Sequence, residues 1–248
     1  QLEGGSSPAA LVPTLRKVGW SELATRADRL GLGSKAAALL EVVRAVQEPV
    51  LVFSRFLATL EALGDFLARH GAEVFRYHGG LPVSEREREL RKFSASSRGV
   101  MLLSEVGGEG KNLQFCRHLV NFDLPWNPLR IEQRVGRVHR IGQTRPIQIV
   151  NLCLKGSLED HLLRILDDKL NMFELVVGEL ESILGPLEEE RDFEELLSEL
   201  SAASADSCEL ERAMLDLEAQ LLGLRDAHRE HQRLDQELFG REFEIGEG

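Results

Sequence analysis

The sequence predicts an α/β domain, a parallel sheet covered by helices on both faces, followed by an acidic helical extension. Three observations carry this. Short apolar or β-branched runs such as "VLVFS", "GVMLLS" and "RHLVNFD" are too brief for helices, and amphipathic stretches of helical period separate them. Such alternation implies βαβ crossovers, which build parallel sheets buried on both sides. Beyond "LGP" at 184–186 the composition turns acidic and helical.

Taken in order, residues 1–32 mix "GGSSP" with a short helix around "ALVPTLRKV" and read as a linker or docking segment. In "GLGSKA", Ser34 is expected to cap the helix "KAAALLEVVRAV", which stops at Pro49. Strand "VLVFS" then leads into helix "FLATLEALGDFLARHG", with Gly71 suited to a C-terminal cap. Strand "EVFRY", helix "PVSERERELRKF" with Pro82 near its start, and strands "GVMLLS" and "RHLVNFD" follow. Asn127 and Pro128 open a helix expected to run through "NPLRIEQRVGRVHRIG" to Gly142, Asn as cap acceptor and Pro as first residue. Strand "PIQIVNLCL" and a long helix from "SLEDHLL" complete a body placed at residues 33–178, and 179–248 form the extension.

The formal net charge of -11 conceals an asymmetry. Residues 179–248 hold 21 Asp/Glu against 6 Arg and no Lys, so the remainder carries a balance of +4 and stays eligible for nucleic acid. No apolar run is long enough to span a bilayer and no signal peptide opens the chain, so a soluble, cytoplasmic protein without a membrane partner is expected. Starting at Gln1 without an initiator Met suggests a piece of something longer. Cys116, Cys153 and Cys208 lack CxxC spacing, so free thiols are expected rather than disulfides or a zinc site.

The stretch "EQRVGRVHRIGQ" carries the chemistry. On a continuous helix Ile131, Val135 and Val138 share one arc, while Arg130, Gln133, Arg134, Arg137 and Arg140 fan across the other. Only Glu132 offers an acid within the segment, so the arginines call for an external anion, and guanidinium suits phosphate or carboxylate. "GLGSKA" does not supply a phosphate cradle, because Ser34 precedes Lys35, Ala36 follows it, and no strand leads in. The acids of "DFLARHG" and "FDLPWNP" likewise lack the strand ending in paired carboxylates that would hold Mg²⁺.

In this order "VLVFSRF", "YHGG", "LLSEVGGEGKNLQFCRHLVNFDLPWNP" and "EQRVGRVHRIGQ" resemble the second RecA-like (P-loop NTPase-like) lobe of Swi/Snf-type ATP-dependent DNA translocases of helicase superfamily two, bacterial members especially. The resemblance covers residues 35 to about 180. It implies ATP and Mg held mainly by an N-terminal lobe of the same full-length protein, with Arg137 and Arg140 as arginine fingers. Gln133, Arg134, Gly110 and Asn112 would lie on the nucleotide side, Arg134 bracing the contact between lobes. Ser54, Arg55, Ser104, Gly107, Gly108, Lys111 and Trp126 would lie against the backbone of double-stranded DNA. Lys111 departs from the leucine commonest in the family. A competing reading is a non-catalytic RecA-like scaffold whose acidic tail binds a protein partner. In that tail Leu210, Met214, Leu217, Leu221 and Leu224 make a heptad seam, serving either one folded-back amphipathic helix or a coiled coil. His228 and His231 continue the stripe as a solvated helix end or a metal pair.

Overall fold

Five four-residue strands form where the apolar runs predict them: β1 (Val50–Phe53), β2 (Val74–Tyr77), β3 (Val100–Leu103), β4 (His118–Asn121) and β5 (Gln148–Asn151). They pair in parallel in the order β2-β3-β1-β4-β5, with Val50 opposite Val100 on one side and His118 on the other. The chain steps outward from β1 to β2, returns to β3, then crosses to the far side for β4. The carboxyl ends of β3, β1 and β4 therefore meet where the strand order reverses, the edge at which open α/β sheets bind ligands.

This computed structural model describes residues 5–105, 113–139, 145–169, 183–185, 193–203 and 207–239. By contacts the chain divides into two compact units, one of residues 1–125 with 133–159, the other of residues 126–132 with 160–248. In the first unit the period of two in the strands sorts side chains to two faces. Val50, Val52, Val100, Leu102 and Val120 pack on α3 (Ser34–Ala45) and α4 (Leu57–Arg69) through Leu39, Leu40, Leu60, Leu63 and Leu67. Leu51, Phe53, Met101, Leu103 and Leu119 pack with Phe75, Tyr77 and the Phe93 of α5 (Val83–Ala95). Each such side chain contributes roughly 1.5–3 kcal/mol of burial, so both helical layers are held by the sheet.

Residues ahead of α3 are helical beyond the one short helix expected around "ALVPTLRKV": α1 (Pro8–Lys17) and α2 (Ser21–Leu30) pack against each other. Ser7 caps α1 by accepting from the Ala10 amide at 3.2 Å. The cap of α3 differs from expectation. Gly33 holds it at φ +71°, and Ser34 is the first helical residue without a capping bond, because a residue already in the helix cannot turn its hydroxyl onto the next turn's amides. Lys35, the lysine that invited comparison with a phosphate loop, is buried; its Nζ donates to Gly5 O at 2.9 Å and to Glu159 at 3.3 Å.

A larger difference concerns the arginine segment. Its helix, α6 (Pro128–Val135), begins as predicted, Asn127 Oδ1 accepting from the Leu129 amide at 2.9 Å, but stops seven residues short of Gly142. Arg137 N reaches Arg134 O at 3.1 Å and Val138 N reaches Val135 O at 3.0 Å, the tighter bonding of a turn. Gly136 sits at the break, and a mid-helix glycine costs about 1 kcal/mol relative to alanine.

In the second unit α7 (Leu158–Arg164) continues into a π turn at Ile165–Lys169, and α8 (Phe193–Ala203) and α9 (Ser207–Phe239) supply the extension. α9 packs on α8 and on the π turn. Of the predicted seam, Met214, Leu217 and Leu221 are buried and Leu224 is half-buried, so the stripe is used within the chain; the Leu210 side chain lies outside the described residues. His228 is half-buried and His231 exposed. Among the described residues no helix is long and apolar enough to cross a membrane, and no group of three or more His, Cys, Asp or Glu could hold a metal ion.

Candidate functional site

A polar residue lies within two positions of the end of each of the three central strands. Ser54 and Arg55 follow β1, Ser104 and Glu105 follow β3, and Phe122 and Asp123 follow β4. Strand register fixes their neighbourhood: Ser54 N donates to Leu103 O at 3.0 Å, Phe122 N to Phe53 O at 2.9 Å, and Ser104 N to Tyr77 O at 3.2 Å. Two motifs distant in sequence are thereby brought onto one edge.

Arg134 lies at the centre of this edge and is only 2% exposed. Its Nη1 donates to Asn121 Oδ1 at 2.7 Å and to Asp123 O at 3.0 Å; its Nη2 pairs with Glu105, and the guanidinium stacks over Phe53 at 5.2 Å. The nucleotide contact expected of Arg134 is thus replaced by bonds to the ends of β3 and β4, since a side chain this deep has no face left for a ligand. Arg130 also finds a protein carboxylate, Glu194 at 3.5 Å. The inference that all the arginines need an external anion is corrected for these two, because their partners lie 29 and 64 residues away in sequence.

Arg137 differs. It is half-buried in the turn past α6, its carbonyl accepting from Leu113 N at 3.3 Å, and among the described residues its guanidinium has no ion-pair partner. Gln133 is exposed. Arg140, and Gly107, Gly108, Gly110, Lys111 and Asn112 of the glycine loop, lie outside the described residues.

Of the residues expected at DNA, Arg55 and Ser104 are half-buried, whereas Ser54 and Trp126 are buried. Ser54 Oγ donates to Asp123 Oδ2 at 2.5 Å, and Trp126 is 4% exposed within the buried "LPWNP" run. In place of the DNA contact expected of them, both are packing residues in this conformation: a hydroxyl bonded to a buried carboxylate and an indole out of solvent present no surface to a phosphate.

At the opposite, amino end of the sheet, Glu48 accepts from Arg117 at 2.8 and 2.9 Å and from Arg145 at 2.6 Å. The two guanidiniums hold its carboxyl down at about 2. Nearby His118 is disfavoured as a cation, first by burial and then by Arg117. Burial pushes the Cys116 thiol up to about 11, so it is inert. Glu159 is raised by desolvation, against the pull of Lys35.

These strands, their polar ends and the arginine segment coincide with a known domain. Residues 34–142 match the helicase conserved C-terminal domain family. This part of the chain is a helicase C-terminal lobe. The uncharacterized ATP-dependent helicase YqhH of Bacillus subtilis (strain 168) is 37% identical over 197 residues, 79% of this chain and 35% of that protein. The RNA polymerase-associated protein RapA of Proteus mirabilis (strain HI4320) is 42% identical over 130 residues, 51% of this chain and 13% of that one. The chain thus spans about a third or less of these relatives' lengths. The crystal structure of the C-terminal part of the Fun30 ATPase domain superposes at a TM-score of 0.50 with 30% identity, covering 54% of this chain and 45% of that one. The helicase lobe therefore shares its parallel sheet and its motifs with superfamily-two, Swi/Snf-type proteins.

Sequence reasoning missed Asp123 and Glu105 as the partners of this edge. A signal existed: each follows an apolar strand by one or two residues, in "LVNFD" and "MLLSE", where ligand-facing loops begin.

Proposed function

We propose that this chain supplies the second motor lobe of an ATP-dependent translocase on double-stranded DNA. The observation that carries the reading is the contrast between two neighbouring arginines in a helicase C-terminal lobe. Arg134 is buried with its charge matched, while Arg137 is held half-buried by backbone bonds without an ion-pair partner among the described residues. A guanidinium carried on a bonded backbone and left without an ion pair fits the planar, multidentate oxygens of a triphosphate. The donor set of this edge does not fit Mg²⁺, since Glu105 is paired with Arg134 and Asp123 holds three donors; the metal belongs with another lobe.

In this reading ATP is the substrate, bound between this lobe and an N-terminal lobe carrying the phosphate loop. Arg137 and Arg140 donate to the oxygens on which charge builds during phosphoryl transfer to water. Gln133 adds an exposed amide, and Gly110 and Asn112 border the nucleotide side. Arg134 acts one step removed, fixing the carbonyl that receives the Arg137 amide. Arg55, Ser104, Gly107, Gly108 and Lys111 contact DNA phosphates, giving binding that is salt-dependent and indifferent to sequence. With the fingers on one lobe and the phosphate loop on the other, hydrolysis requires closure, so chemistry drives motion.

The test is the ATPase of the full-length protein with and without duplex DNA. Arg137→Ala and Arg140→Ala are each expected to lower DNA-stimulated kcat by about 10³-fold or more, the usual worth of an arginine finger. Rates within about twofold of wild type for both variants, by that same measure, would sink the finger assignment.

A further inference from the structure

We propose that Asp123, together with Ser6, is a positioning device that holds the DNA-facing end of β1 and the arginine segment in one frame; this rests on the motor-lobe reading above. Asp123 is 1% exposed, yet its carboxylate receives three donors. Oδ2 accepts from Ser54 Oγ at 2.5 Å and Ser6 Oγ at 2.7 Å, and Oδ1 accepts from the Arg55 amide at 2.9 Å. Its backbone carbonyl accepts from Arg134 Nη1 at 3.0 Å, and Arg134 O in turn accepts from Arg137 N at 3.1 Å. One residue therefore fixes the backbone at Arg55 through its carboxylate and, through its carbonyl, the guanidinium of Arg134, whose own carbonyl receives the Arg137 amide. A buried carboxylate with its oxygens bound to fixed donors has a single arrangement, so displacement of Arg55 by a bound phosphate is relayed to Arg134 rather than absorbed.

Ser6 lies outside residues 34–142, the span that matches the helicase domain. It belongs to a strap clipped to the lobe at several points. Gly5 O accepts from Lys35 Nζ at 2.9 Å, and the hydroxyls of Ser6 and Ser7 lie 3.1 and 2.7 Å from Thr59 Oγ1. Ser6 reaches from there to Asp123, so the working lobe starts ahead of residue 34. Simple packing would be served as well by apolar side chains, because dehydrating a carboxylate is costly even when it is bonded. Gathering the Ser6 and Ser54 hydroxyls and the Arg55 amide on one side chain needs an acceptor.

The experiment uses the full-length protein with Asp123→Asn, Ser6→Ala and, as control, Arg137→Ala. Duplex-stimulated kcat is measured per DNA-binding-competent molecule, which removes any unfolded fraction, alongside KM for ATP and Kd for duplex. Misplaced fingers predict kcat lower by about tenfold for Asp123→Asn and about threefold for Ser6→Ala, with KM and Kd within about twofold. Wild-type kcat in both variants, or a loss confined to Kd, overturns the proposal while Arg137→Ala remains inactive. Should Arg137→Ala be as active as wild type, Arg137 is not a finger and this inference fails with that assignment. If Asp123→Asn does not fold, Ser6→Ala decides alone.

Discussion

Replacing Arg134 by Met keeps the aliphatic stem and removes the guanidinium. Three bonds disappear, to Asn121, Asp123 O and Glu105, with the stacking over Phe53. Asn121 is fully buried and keeps only its own donation to Asn151 at 2.7 Å, so its Oδ1 is orphaned. Breaking a buried pair from one side costs about 3–5 kcal/mol. Glu105 retains partial access to water at 23% side-chain exposure, which places the expected loss near the lower bound, about 3 kcal/mol. Arg134→Lys keeps the charge but not the fork, and should cost about 1–2 kcal/mol. Hydrogen exchange read peptide by peptide is the suitable assay, since it reports the sheet separately from the helical extension. A loss of 3 kcal/mol should speed exchange of β3 and β4 amides by about 100-fold or more wherever they open with the sheet. If exchange there changes by less than about fivefold, under about 1 kcal/mol, Arg134 is not the brace described.

Lys35→Met strands the buried Glu159 and should destabilise the first unit by about 3 kcal/mol, whereas Lys35→Met with Glu159→Leu should recover much of the loss; urea denaturation of both decides, and equal losses would refute the ion-pair reading. Neither change should weaken ATP binding by the full-length protein, a result opposite to that for a phosphate-loop lysine. Glu48 has its folded value lowered from 4.5 to about 2 by Arg117 and Arg145, so its contribution is complete above about pH 4.5 and is lost as pH falls toward 2. Wild type should therefore lose stability relative to Glu48→Gln across that window, and parallel acid titrations of the two would contradict the pairing. Leu221→Ala should cost about 2–5 kcal/mol in the helical extension without changing the sedimentation coefficient of this chain; dissociation of an oligomer would instead return the seam to intermolecular pairing.

Much of the fold was legible because strand and helix periods depend on local residue order. All five strands fall inside the runs that predicted them, and Asn127 and Gly71 act at the helix ends where their chemistry suits them, Gly71 at φ +85°. The arginine face was not legible in the same way. Steps of three from Arg134 to Arg137 to Arg140 look like one helical surface only if the helix survives Gly136. It stops at Val135, and Arg134 turns inward while Arg137 stays half-buried in the turn. Asp123 was weighed from sequence only as a magnesium ligand and set aside, since its true partners, Ser6 and Ser54, are 117 and 69 residues away.

The sequence by itself determined the parallel α/β class, the position of each strand, the unfitness of "GLGSKA" as a phosphate loop, and the motifs that mark a helicase C-terminal lobe. Only the tertiary structure decided that Arg130 and Arg134 are matched by carboxylates while Arg137 has no ion-pair partner among the described residues. It also showed that the seam of α9 is buried within its own chain and that the segment ahead of residue 34 reaches the site. The division has a physical cause. Backbone conformation follows from neighbours a few residues apart, whereas the partner of a buried charge is set by which strand ends the sheet order places side by side.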